Sequence, residues 1–279
     1  MKLVSFTVSG RNSWGIQKSG KIADLGALPG AATDLRAALA MGIDASKAEE
    51  APSIDAKDVT YLPVIPNPDK IFCIGINYAT HIKETGRPVP EHPVIFTRVA
   101  ASQVGHGEAI LRPNESEKLD FEGELAVVIG KACRRVPVEN ALDYVAGYAC
   151  YNDGSIRDWQ RHTSQFAPGK NFYKTGGFGP WLVTTDEIPD PSKLTLITRL
   201  NGEVMQEAPI SDLVFNVPQL IAYCSTFTPL LPGDVIVTGT TGGVGLFRDP
   251  PVFMKAGDAV EVEISSIGIL KNSVVDEAA

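Results

Sequence analysis

The run Phe121-Glu122-Gly123-Glu124-Leu125-Ala126-Val127-Val128-Ile129 decides how this chain is read. From Leu125 onward it is apolar and rich in β-branched residues, as in a strand buried on both faces. Side chains alternate across a strand, so Glu122 and Glu124 point to one face. Two carboxylates on one buried face repel each other, and burying them is costly unless positive charge lies between them. A divalent cation with a preference for oxygen meets that need. Asp153 follows a second apolar run, residues 144–151, and closes a three-carboxylate site with Glu122 and Glu124. The competing reading is a solvated strand face with incidental acids, which the buried character of residues 125–129 disfavours.

The rest of the chain is consistent with a globular protein of one or two domains. It has 279 residues, 44% of them hydrophobic, and can bury a large core. No apolar run approaches the roughly 18 residues of a membrane span. The opening Met1-Lys2-Leu3-Val4-Ser5-Phe6 reads as a strand, with no cleavage site after it, and so not as a signal peptide. The net charge is −8; residues 1–66 are balanced, with seven basic and seven acidic side chains, and the whole excess lies after them. No basic stripe is present, which argues against a nucleic-acid partner. The cysteines (Cys73, Cys133, Cys150, Cys224) form no CxxC pair and no zinc spacing. They read as small buried hydrophobes in a reducing compartment, and a cytoplasmic location is expected.

Punctuation along the chain sets a boundary near residue 66. Residues 1–66 read as a small N-terminal α+β domain with a helix over 34–41, Thr33 as its N-cap and Gly42 as its stop. A polar linker and then Pro63, Pro66 and Pro68 follow. Residues 67–279 form the catalytic part, with short strands near 71–74, 94–97, 124–129, 145–151, 181–184, 194–200, 235–238 and 260–264. Asn201-Gly202 signals a type I′ hairpin, and residues 265–268 a second one. Helices are expected at 78–85, 138–144, 155–162 and 217–226. Strands and long helices do not alternate, which excludes a doubly wound sheet. The class is α+β, predominantly β.

Three further segments carry chemistry. In Gly75-Ile76-Asn77-Tyr78-Ala79-Thr80-His81-Ile82-Lys83-Glu84, a helix capped by Asn77 puts His81 and Glu84 on one face at i and i+3. A carboxylate beside an imidazole fixes its tautomer and raises its basicity, as a general base requires; a surface ion pair is the plainer alternative. After Asp153, Arg157 and Gln160 place a cation and an amide near the proposed metal, suited to a substrate carboxylate, or else are ordinary exposed polar groups. Lys170, in the glycine-rich approach to the next strand, is a candidate oxyanion stabiliser or a loop lysine. Residues 238–245, Thr-Gly-Thr-Thr-Gly-Gly-Val-Gly, match neither a Walker A loop nor a dinucleotide fingerprint.

Taken in order, Gly75-x-Asn77-Tyr78-x-x-His81-x-x-Glu84, Asp120-x-Glu122-x-Glu124-Leu125, Asn152-Asp153-x-Ser155-x-Arg157-Asp158-x-Gln160, Lys170-x-Phe172, Gly179-Pro180-Trp181 and Thr238-Gly239-Thr240-x-x-Gly243-Val244-Gly245 resemble the fumarylacetoacetate hydrolase family. The resemblance runs from about residue 70 to the end. It implies mixed β-sheets rolled into a sandwich, usually as a homodimer. It implies Mg²⁺ or Mn²⁺ held by Glu122, Glu124 and Asp153, a His81–Glu84 pair on a mobile lid helix, and Lys170 facing the substrate. Tyr78, Arg157, Gln160 and Thr240 are the substrate-binding positions of this pattern. The substrate class implied is a 2-oxo or 2,4-dioxo acid from aromatic or sugar catabolism. Three positions depart from the pattern: Tyr173 and Arg98 stand where many members carry Asp and Lys, and Thr241 replaces the usual Pro.

The expected reaction is Mg²⁺-dependent hydrolysis of a C–C bond in an acylpyruvate. His81–Glu84 activates a water for attack on the distal carbonyl, and Lys170 stabilises the oxyanion. The alternative is decarboxylation or isomerisation of oxaloacetate- or hydroxymuconate-like 2-oxo acids, or hydration of a 2-oxo-enoate. These need the metal without a carbonyl-attacking water, except that the hydratase adds water to an alkene.

Overall fold

A computed structural model describes residues 1–278. The apolar run 125–129 lies in the strand Gly123–Ile129, with every residue buried. It lies in the middle of a large mixed sheet. On one side it pairs antiparallel with Val145–Asn152, which pairs in turn with Gly176–Thr184. On the other side it pairs antiparallel with Val235–Val237, which runs parallel to Ile71–Gly75; the Val94–Arg98 strand follows. A second sheet of five strands contains Glu203–Pro209, Thr195–Leu200, Ala259–Ile264, Gly268–Asp276 and Ile110–Arg112. The fold is mostly β with few helices, as the residue patterns predict.

Alternation along the central strand feeds two cores. Leu125, Val127 and Ile129 pack towards the second sheet with Leu196, Val262, Ile264 and Leu270. Ala126 and Val128 pack the other way, with Val235, Val237, Tyr151 and Phe178. By the same period of two, Glu122 and Glu124 belong to the Ala126–Val128 face, at its open end. Residues 1–66 cover this face further along: Leu3, Trp14, Leu25 and Leu35 join that core. Their strand Lys2–Val8 pairs with Gly176–Thr184, so the N-terminal segment extends the same sheet.

Both expected hairpins are present. Leu200 pairs with Glu203 across Asn201 and Gly202, which both have positive φ, as a type I′ turn requires. Ile264 pairs with Gly268, with Ser266 at φ 64°. The helix Val217–Phe227 has a full capping box from Asn216 and Gln219. Four local readings need correction. The first helix begins at Leu35, capped by Asp34 through the Ala37 N–H and not by Thr33. Residues 138–144 form a 3₁₀ helix. The segment expected as a helix over 155–162 begins as a short strand, Ser155–Ile156, paired to Leu119–Asp120, and only Arg157–Gln160 is helical. Asn77 does not cap the Ala79–Thr85 helix; its side chain bonds the backbone of Phe215 and Thr238, fixing the chain just before the helix.

Candidate active site

Strand register brings the three carboxylates together. Gly123 pairs with Asn152 and Glu124 with Tyr151, so Glu122 meets Asp153 where the two strands end. The Asp153 N–H donates to the Glu122 carbonyl at 2.8 Å, and the Asn152 amide oxygen accepts the Glu122 N–H at 3.0 Å. Glu122, Glu124 and Asp153 each offer a carboxylate oxygen within 4.8 Å of the others, and all three are buried. Gly123 between the acids is sterically required: a Cβ there would lie 1.9 Å from Thr198 Oγ1.

Buried cations surround the cluster. Lys170 Nζ donates to Glu122 Oε2 at 2.5 Å and Asp153 Oδ2 at 2.7 Å. Arg157 bonds Glu122 Oε1 at 2.6 Å and Asp120 Oδ2 at 2.7 Å. Arg98 pairs with the other oxygen of Asp153 and also bonds Gly154 O, Ser102 Oγ and Thr175 Oγ1. Four buried carboxylates, Asp120, Glu122, Glu124 and Asp153, thus face three buried cations, Arg98, Arg157 and Lys170. One negative charge is left over, and its place is clear. Glu124 has no cationic partner among the described residues and takes only the Gly239 N–H, at 2.6 Å. Burial, then the nearby Asp153 and Glu122 charges, push its carboxyl well above the usual range. Glu122 goes the other way: burial opposes its charge, but Lys170 and Arg157 outweigh burial and hold it below that range. An all-oxygen cluster with one carboxylate that lacks a cationic partner fits a hard divalent cation such as Mg²⁺ or Mn²⁺.

The glycine-rich segment 238–245 is a set of backbone donors. The N–H groups of Gly239, Gly243 and Gly245 donate to Glu124, Glu84 and Asp120 respectively. Gly243 reaches its carboxylate at 2.5 Å with φ of 100°, a backbone region that L side chains rarely adopt. Thr240, at the same turn, donates to the Gly123 carbonyl and accepts from Gln206, whose own oxygen accepts the Gly123 N–H. Gln206 therefore clamps the Glu-Gly-Glu bend from the second sheet.

The expected general-base pair forms on the Ala79–Thr85 helix. His81 Nδ1 lies 3.2 Å from Glu84 Oε2. The helix is tied to the glycine-rich segment by the Glu84–Gly243 bond and by a 3.0 Å contact between the Thr80 and Thr241 hydroxyls. His81, Glu122, Glu124, Arg157, Gln160, Lys170 and Thr240 all line one cavity of about 150 Å³. A volume of that order is enough for a molecule about the size of benzene. Glu84 supports His81 from behind the lining. Tyr78 is the one predicted substrate residue that does not line this cavity. Its ring is fully buried in the main core, because the chain enters the helix there in extended conformation and turns the side chain inward. Arg98, Asp120 and Gln206 are the supporting residues that sequence reasoning did not assign to the site. A buried charge or amide implies partners, but the partners lie far away in sequence.

Fold and site together define a class: a β-rich enzyme scaffold with a buried carboxylate triad suited to a divalent cation. The family described as fumarylacetoacetate (FAA) hydrolase C-terminal matches residues 70–275. The chain belongs to the fumarylacetoacetate hydrolase family. It is 44% identical over 230 residues to the mitochondrial oxaloacetate tautomerase FAHD2A of Bos taurus, covering 82% of this chain and 73% of that protein. The structure of a fumarylacetoacetate hydrolase from Exiguobacterium antarcticum is similar at a TM-score of 0.89 and 35% identity, covering 99% of this chain and all of that one. Maleylpyruvate hydrolase from Sphingobium, in complex with manganese(II) and pyruvate, is similar at a TM-score of 0.84 and 28% identity over the full length of both chains. No helix among the described residues is long and apolar enough to cross a membrane.

Proposed function

We propose that this enzyme interconverts the keto and enol forms of an oxaloacetate-like 2-oxo acid at a divalent metal site, and so acts as a tautomerase or isomerase. The observation that carries the reading is a single imidazole facing a buried carboxylate triad across a small cavity, in a chain 44% identical to an oxaloacetate tautomerase. Weight shifts accordingly from the C–C hydrolysis expected at first to the enolisation expected as its alternative.

The residues have distinct jobs. Arg157 holds its Nη2 group buried and without a partner while the rest of its guanidinium is bonded to Asp120, Glu122 and Gln160. Arg157 lines the cavity, and a guanidinium with a donor still unpaired suits a substrate carboxylate. Glu84 holds His81 through Nδ1, leaving Nε2 to take the proton from the carbon beside the keto group. The electron pair of that C–H bond becomes the enol double bond, and the keto oxygen takes up a proton. Lys170, a buried ammonium in the lining, is placed to supply it or to stabilise the oxygen. A divalent cation at Glu122, Glu124 and Asp153 would stabilise negative charge on that oxygen. We propose Mg²⁺ or Mn²⁺ in this role, and a homodimer as the assembly. Hydrolysis of an acylpyruvate is the second reading, favoured by the likeness to maleylpyruvate hydrolase and by a His–Glu pair competent to activate water.

The test supplies enol-oxaloacetate with Mg²⁺ and follows its ultraviolet absorbance and its products by NMR. Accelerated loss of enol with the four-carbon acid conserved supports the reading. Enzyme-dependent pyruvate would mean decarboxylation. Cleavage of acylpyruvates without any tautomerisation would establish the hydrolase instead.

A further inference from the structure

Two cations at the cavity have no task in the chemistry above. Arg87 and Arg161 both line it, and both side chains are exposed. Neither forms an ion pair with a carboxylate among the described residues, and no side-chain hydrogen bond holds either guanidinium. This contrasts with Arg98, Arg157 and Lys170, whose charges are spent on buried carboxylates. Their positions are also telling. Arg161 is the C-cap residue of the Arg157–Gln160 helix and follows Arg157 by four residues, so one short helix presents a buried and an exposed guanidinium to the same cavity. Arg87 follows Gly86, the left-handed cap of the helix that carries His81 and Glu84. Its guanidinium lies 6.0 Å from the ring centre of Phe166, which also lines the cavity and packs edge-on against Phe96.

The electrostatics call for such groups. The buried cluster beneath the cavity holds one more carboxylate than cations, so with a divalent cation bound it carries one net positive charge. A dicarboxylate entering with its reacting end inward would neutralise that charge and bring a second negative charge with nothing left in the cluster to balance it. Solvent-exposed cations at the opening offset it, and a planar guanidinium pairs well with a carboxylate. We propose that Arg87 and Arg161 bind the distal carboxylate of a dicarboxylic 2-oxo acid and so select diacids over monoacids. The inference rests on the reading that the cavity binds 2-oxo acids. It adds a positional consequence: a substrate held by Arg87 is tied to the helix bearing His81, so the second carboxylate helps to place the general base. Phe166 supplies the apolar support against which Arg87 is held.

Oxaloacetate and 2-oxobutanoate make the test, because they differ by a carboxylate in place of a methyl group. Binding of both to the Mg²⁺-supplemented protein is measured by calorimetry, with the rate of enolisation measured alongside from solvent deuterium exchange. Wild type should bind the diacid more tightly. Arg87→Ala and Arg161→Ala should each weaken oxaloacetate binding about tenfold, the scale of one charge-assisted contact, and leave 2-oxobutanoate within twofold. Arg87→Lys should recover part of the loss. Equal weakening of both acids would show general electrostatic attraction, and no weakening of either would show two solvated arginines; each result overturns the proposal. Binding selectivity is read even where exchange is absent. Intact diacid selectivity without catalysis would therefore defeat the tautomerase reading and leave this inference standing.

Discussion

Replacing Arg98 by Met tests how much of the site depends on a residue that does not line the cavity. The Arg98 side chain is fully buried. Its guanidinium pairs with Asp153, bonds Gly154 O and Thr175 Oγ1 at 3.0 Å each, and reaches Ser102 Oγ at 3.2 Å. Met fills similar space and satisfies none of these acceptors. Asp153 would keep only Lys170 as a cationic partner. Removing one member of a buried pair costs about 3–5 kcal/mol, because the other charge stays desolvated. In a chain of this size that corresponds to roughly 6–10 °C in Tm, at about 2 °C per kcal/mol. Differential scanning fluorimetry measures it directly. Lys in place of Arg98 retains the charge but loses the fork, so Arg98→Lys should fall between wild type and Arg98→Met. A drop below about 2 °C for Arg98→Met would refute the view that Arg98 fixes Asp153.

Three further outcomes follow from the packing and the titration of individual groups. Gly123→Ala puts a methyl group on Thr198 Oγ1 and should cost about 1–3 kcal/mol in urea denaturation; adding Thr198→Ala should recover part of it. His106 is driven below its ordinary pKa by burial and then by Lys271, and its Nδ1 accepts the Lys271 N–H, a bond that needs that nitrogen unprotonated. The unfolded chain then binds more protons near pH 6, so stability is full above about pH 6.5 and falls as pH drops through it; His106→Gln should flatten the change in urea midpoint between pH 7 and 5.5. Burial pushes the Cys150 and Cys224 thiols up to about 12. Neither should react with a thiol reagent at pH 8 until denaturant is added, as mass spectrometry of the labelled chain would show.

What the sequence made legible follows physical range. Glu122 and Glu124 were readable because a period of two is a local property of the backbone, and Asp153 because it ends an apolar run. His81 and Glu84 were readable for the same kind of reason, at helical spacing. The supports were not readable. Arg98 meets Asp153 across 55 residues, and Gln206 meets Gly123 across 83. Such partners are set by sheet order and not by any local pattern. The glycine-rich segment 238–245 was opaque in another way, since its function is carried by backbone N–H groups, which no side chain advertises. The burial of the Tyr78 ring is equally unreadable, because its place in a motif says nothing of which way the ring turns. Asn77 read as a helix cap, whereas tertiary contacts to Phe215 and Thr238 use its whole amide.

The central claim is that Glu122, Glu124 and Asp153 hold a divalent cation that makes enolisation possible beside His81. The most direct measurement is Mn²⁺ binding by electron paramagnetic resonance, paired with oxaloacetate tautomerisation, for Glu124→Gln and His81→Gln. Glu124→Gln keeps the shape and removes the one carboxylate that lacks a cationic partner. It should lose both Mn²⁺ affinity and activity. His81→Gln should keep Mn²⁺ affinity and lose activity by roughly a hundredfold or more, the usual contribution of a positioned base. Unchanged Mn²⁺ binding and unchanged tautomerisation in Glu124→Gln would contradict the account.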